Sequence, residues 1–66
     1  MGQGLAHSIK ARRRELGLTQ AALAMAVGVS LRTLKGWELG ETQPGIDAAA
    51  RLASALGVSL DDLAAA

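Results

Sequence analysis

Among its 66 residues the chain has no cysteine, phenylalanine or tyrosine, and only one proline (Pro44), one tryptophan (Trp37) and one histidine (His7). Without thiols there is no disulfide framework and no cysteine-based zinc staple. His7 has no carboxylate cluster around it in sequence, and there is neither a Walker-type phosphate loop nor a pair of acids suited to a cleft. General acid–base and nucleophilic catalysis both need such groups, so no enzymatic activity, metal or cofactor is expected and no small-molecule site is evident. The apolar runs are short and broken by charge, far from the roughly 20 residues of a membrane span, and no secretory signal is present. The protein is expected to be soluble and cytoplasmic, with no membrane partner. Scarce aromatics and β-branched residues beside abundant Ala and Leu favour helices over strands.

Charge is balanced in total, at +1, but not along the chain. Residues 1 to 36 carry Lys10, Arg12, Arg13, Arg14, Arg32 and Lys35 against Glu15; the remainder carries Arg51 against Glu38, Glu41, Asp47, Asp61 and Asp62. A basic face for a polyanion opposite an acidic, solubilising face fits this pattern, and so do two plain solvated surfaces.

One junction recurs: "LGLT" at 16–19, "VGVS" at 27–30 and "LGVS" at 56–59. Glycine tolerates the left-handed conformation that closes a helix, and a Ser or Thr hydroxyl accepts from the free amides that open the next. The apolar residue between them is expected to turn inward. In "SLDD" Asp62 stands where a capping box has its acid. The punctuation predicts five helices, at about 5–16, 19–27, 30–38, 46–56 and 59–64, with residues 1–4 frayed and 5–66 forming one domain. Helical periodicity assigns Leu5, Ile9 and Leu16 to the inner face of the first. It assigns Leu23, Ala24 and Val27 to that of the second, and Leu34 and Trp37 to the third. Ile46, Ala49, Leu52, Ala53 and Leu56 follow in the fourth, with Leu60 and Leu63 in the fifth.

A tight turn at Gly28–Val29 joining two short helices has the form of a helix-turn-helix, though glycine turns join ordinary helical pairs as well. The longer pattern is more specific. "LGLTQAALAMAVGVSLRTLKGWELG", then Pro44, then "RLASALGVSLDDL" resembles the lambdoid Cro and repressor family of helix-turn-helix domains, also called the xenobiotic-response-element family, over about residues 5–63. The resemblance implies an all-α, five-helix, lambda-repressor-like fold. It also implies double-stranded DNA as partner, the third helix in the major groove, and a homodimer on a pseudo-palindromic operator, acting as a transcriptional repressor. It implies a salt bridge between Arg13 and Glu38, mainly structural in role, a contact of Gln20 with the DNA backbone and a brace to the third helix, and a dimer contact around Leu56 to Leu60. A C-terminal module, if the chain is part of a longer protein, is the other candidate for that contact.

At 100° per residue, Leu34 and Trp37 share the inner side of the third helix with Glu38 beside them, and Arg32 points nearly opposite, flanked by Lys35 and Gly36. Arg32 can offer its planar fork to guanine O6 and N7; Lys35 suits phosphate, or phosphate and base together. Leu31, at the edge, suits a thymine methyl, and Gly36 is expected to let the helix backbone approach the DNA. Thr19 and Ser30 are caps first, with Thr19, Gln20, Ser30 and Thr33 near the DNA. Within "KARRRE", Lys10 and Arg14 read as a wet face, whereas Arg12 and Arg13 lie by the apolar stripe and need partners. The loop "LGETQPG" lacks the basic residues common in the family, so phosphate contacts are expected to be few. The alternative is a protein-interaction module on the same fold, of antitoxin or coactivator type, using Leu31, Gly36, Leu39 and the "AAA" tail.

Overall fold

The computed structural model describes residues 4–64. Within them the chain forms α1 (Gly4–Glu15), α2 (Gln20–Val27), α3 (Leu31–Leu39), α4 (Ile46–Leu56) and α5 (Leu60–Ala64), with no strand among the described residues. This is the all-helical architecture expected from the sequence. The frayed segment expected at 1–4 lies, except for Gly4, outside the described residues, as do the alanines at 65 and 66. No described helix is long and apolar enough to cross a membrane.

The helix boundaries follow from local chemistry. Gly17, Gly28, Gly40 and Gly57 all have φ between +70° and +84°. After each, the following amide reaches back five residues: Leu18 N to Arg13 O at 3.1 Å, Val29 N to Ala24 O at 3.0 Å, Glu41 N to Gly36 O at 2.9 Å and Val58 N to Ala53 O at 3.0 Å. That is the Schellman closure, in which a left-handed glycine lets the chain satisfy carbonyls the helix leaves open. The next helix then opens on a hydroxyl. Thr19 Oγ1 accepts from Ala22 N, Ser30 Oγ from Thr33 N and Ser59 Oγ from Asp62 N, each at 3.0 Å. These three residues sit just before their helices rather than in them, which moves the expected starts of α2, α3 and α5 by one. The apolar residues between glycine and hydroxyl, Leu18, Val29 and Val58, all pack on the core.

That core is Ile9, Leu23, Ala24, Val27, Leu34, Trp37, Leu52, Ala53, Leu56 and Leu63. Three expected core residues are surface residues instead. Leu16 is 43% exposed because α1 ends at Glu15, so Leu16 belongs to the turn and leaves the helical stripe. Ile46 is 85% exposed, being the first residue of α4 and more than a turn ahead of its first enclosed leucine, Leu52. Leu60 opens α5 in the same way and is also exposed, while Ala49 is half-buried. Leu56, expected at a dimer contact, is fully enclosed and is unavailable to a partner.

Arg12 finds its partner at the end of α4. Its Nε donates to Leu56 O at 2.9 Å and its Nη1 meets Glu15 Oε1 at 3.0 Å. A cation there complements the partial negative charge of a helix C-terminus. α4 packs on α1, α2 and α5, and α3 on α1 and α2, so α3 keeps one long side free.

A Cβ on Gly28 would meet no atom within 4 Å, yet φ is +84°. Gly28→Ala is therefore expected to destabilise the fold by about 1–2 kcal/mol through backbone strain alone, measured by urea unfolding. No loss would show that the turn relaxes to another conformation.

Candidate nucleic-acid interface

The two helices of the expected motif meet across Gly28, Val29 and Ser30, and a buried polar cluster fixes the pair against α1. Arg13 Nε donates to Glu38 Oε2 at 2.6 Å and Arg13 Nη2 to Glu38 Oε1 at 2.9 Å, a two-point fork between α1 and the end of α3. The third arm, Nη1, donates to Leu18 O at 2.9 Å in the α1–α2 turn. Gln20 Nε2, on the first residue of α2, donates to the same Glu38 Oε1 at 3.0 Å. Both charged residues are buried, and no buried side-chain polar atom among the described residues lacks a partner. α1, the opening of α2 and the last turn of α3 are thus tied at one carboxylate.

Burial alone would raise the Glu38 carboxyl, but hydrogen bonds from Arg13 and Gln20, with the charges of Arg13 and Lys10, outweigh it and hold it below its ordinary value of 4.5. The hydrogen bond to Glu38 raises the Arg13 guanidinium, burial opposes this, and the carboxylate charge adds to it. The arginine therefore stays charged at any pH where the protein is folded.

The outer side of α3 carries the candidate contacts. Arg32, Lys35 and Thr33 are exposed, and neither Arg32 nor Lys35 takes part in the ion pairs of the described residues. Leu31 is 40% exposed at the edge of that side. Thr33 is held by Ser30, whose Oγ donates to Thr33 Oγ1 at 2.9 Å. Thr19 is exposed and Gln20 half-buried at the mouth of α2. Lys10 is half-buried and close enough to act on Glu38, which sets it apart from the freely wet Arg14.

Two features were only partly legible in the sequence. Leu39, named in the sequence only for the protein-interaction alternative, is the last residue of α3; it continues the outer row seven residues after Arg32, about 20° from it, and is 69% exposed. Gly36 is half-buried, and a Cβ there would stand 3.2 Å from Thr42 Oγ1. The α3–α4 loop packs against the place its side chain would occupy, a contact not expected from the sequence.

Because the folded Glu38 pKa is depressed, the pair's contribution is complete above the ordinary carboxylate range and is lost as pH falls through the lowered value. Glu38→Gln is expected to cost about 3 kcal/mol at pH 7, the scale for breaking a buried pair. The gap from the unaltered chain should narrow as pH falls below the ordinary carboxylate value of 4.5 and the native carboxylate protonates. Urea midpoints across pH check both; a pH-independent gap would contradict the charge assignment.

A helix-turn-helix family profile matches residues 9–63. Repressor protein C2 of Salmonella phage P22 is 41% identical over 61 residues, covering 92% of this chain and 28% of that protein. An HTH-type transcriptional regulator of Methanothermobacter thermautotrophicus is 47% identical over 49 residues, covering 74% of this chain and 71% of that protein. The chain thus spans most of the archaeal relative but under a third of the phage repressor. Among solved structures, the P22 c2 repressor in complex with a synthetic operator superposes with a TM-score of 0.89 at 40% identity, covering 94% of each chain. These relatives are regulators and repressors, not enzymes. With a five-helix fold, a glycine turn between α2 and α3 and this match, the chain belongs to the helix-turn-helix family of lambda-repressor-like DNA-binding transcriptional regulators.

Proposed function

We propose that the chain binds double-stranded DNA sequence-specifically as a homodimer on a pseudo-palindromic operator and acts as a transcriptional repressor. α3 lies in the major groove, and the opening of α2 rests on the backbone. The observation that carries this reading is the pair of exposed cations, Arg32 and Lys35, standing outside any ion pair of the described residues on the free side of α3. The P22 c2 repressor, a relative of closely similar fold, is found in complex with a synthetic operator, which supports DNA as the partner.

Each residue has a role its chemistry suits. Arg32 donates two hydrogen bonds to guanine, and Lys35 neutralises a phosphate. Leu31 packs on a thymine methyl, a contact that needs no hydrogen bond. At α2 the Thr19 cap leaves neighbouring amides and the positive helix end for a phosphate, with Gln20 braced beside it by Glu38. Ser30 and Thr33 are further hydroxyls at the groove's edge. A single reading helix covers few base pairs, which favours two copies. Within the 56–60 stretch, Leu60 is the exposed leucine left for such a contact.

Selection from random duplex DNA is expected to enrich a roughly palindromic site. Arg32→Ala should cost about 1–3 kcal/mol at one base pair per half-site. Lys35→Gln should weaken all sequences alike and, because each dimer loses two phosphate contacts, flatten the plot of log affinity against log salt by about 1.8. If no site is enriched while a protein partner is captured through Leu31 and Leu39, the chain is an interaction module instead.

A further inference from the structure

The loop after α3 folds back over the helix it leaves. Thr42 N lies 3.4 Å from Gly36 O, beside the 2.9 Å bond from Glu41 N to that same oxygen. The point where a Cβ of residue 36 would sit is 3.2 Å from Thr42 Oγ1 and 3.9 Å from Glu41 Oε1. Residue 36 follows Arg32 by four positions, about 40° round the helix. The loop therefore brings a carboxylate and a hydroxyl against Gly36, one helical turn along α3 from Arg32 and on the side proposed above to face the groove. Glu41 is exposed and takes part in neither ion pair of the described residues.

An unpaired carboxylate at a DNA-facing surface is repelled by every phosphate, which offers only acceptors. In the major groove the amino group of a cytosine supplies the donor a carboxylate matches, and Asp and Glu are suited to accept from it. We propose, resting on the reading of α3 as the groove helix, that Glu41 is a further specificity-determining residue. Seated by the loop on Gly36, it accepts from a cytosine amino group next to the base pair read by Arg32. Phosphate repulsion then acts as a filter, since only a site with cytosine at that place repays the approach of the negative charge.

The test is selection from random duplex DNA with the unaltered chain, Glu41→Gln and Glu41→Asp, followed by affinities for the selected site and for the same site with that cytosine replaced. The unaltered chain is expected to prefer the cytosine site by on the order of tenfold. Both variants should lose that preference, Gln because its amide supplies donors as well as an acceptor, Asp because it keeps the charge but is one methylene short. Preferences at the Arg32 base pair should persist in both. If Glu41→Gln tightens all sequences equally and Glu41→Asp behaves like the unaltered chain, Glu41 is a repulsive charge only and the proposal fails. If the unaltered chain enriches no site, the proposal falls together with the reading it rests on. An intact Arg32 preference without a cytosine preference overturns this proposal alone.

Discussion

One carboxylate, that of Glu38, receives two hydrogen bonds from Arg13 and one from Gln20 inside the protein, and the arrangement of the other parts depends on it. Through it α1 is tied to the end of α3, the start of α2 to both, and Arg13 reaches on to the turn at Leu18. A buried ion pair is weak support for net stability, because desolvation of the two charges offsets most of their attraction. Its geometric effect is of another kind. The outer side of α3 and the opening of α2 are held in fixed register, as a surface spanning groove and backbone requires.

The fold is legible in the sequence wherever the determinants are local. A left-handed glycine followed by an apolar residue and a hydroxyl is a complete helix stop and start within four residues, and the Gly17, Gly28 and Gly57 junctions all act in that way. Periodicity is legible only inside a helix. Leu16, Ile46 and Leu60 match an apolar pattern but lie at or beyond a helix end, where the neighbours that would cover them are absent. Leu56, in contrast, is drawn fully inside, so the stretch where the resemblance implied a dimer contact offers less apolar surface than expected.

The candidate interface divides along the same line. The outward placement of Arg32 and Lys35 follows from the 100° step alone. The pairing of Arg13 with Glu38 spans 25 residues; the family resemblance implied it, and spacing did not. The return of the α3–α4 loop over Gly36 was not legible at all, since it depends on a loop reversing direction and meeting the helix from the side. Gly36, an oddity of the third helix in the sequence, is also the seat of a loop, and that loop sets the acidic Glu41 beside it.

The positioning role of the Glu38 cluster is separable from stability by replacing the pair with apolar residues. The most direct measurement is the affinity of Arg13→Met/Glu38→Leu for the selected duplex, taken beside its urea midpoint. Such replacements of buried pairs are often neutral or stabilising, so the fold is expected to hold. Affinity should still fall by roughly tenfold, about 1.4 kcal/mol, because Gln20 and the end of α3 lose their common anchor. Full affinity in a variant as stable as the unaltered chain would contradict the claim that this cluster sets the reading surface.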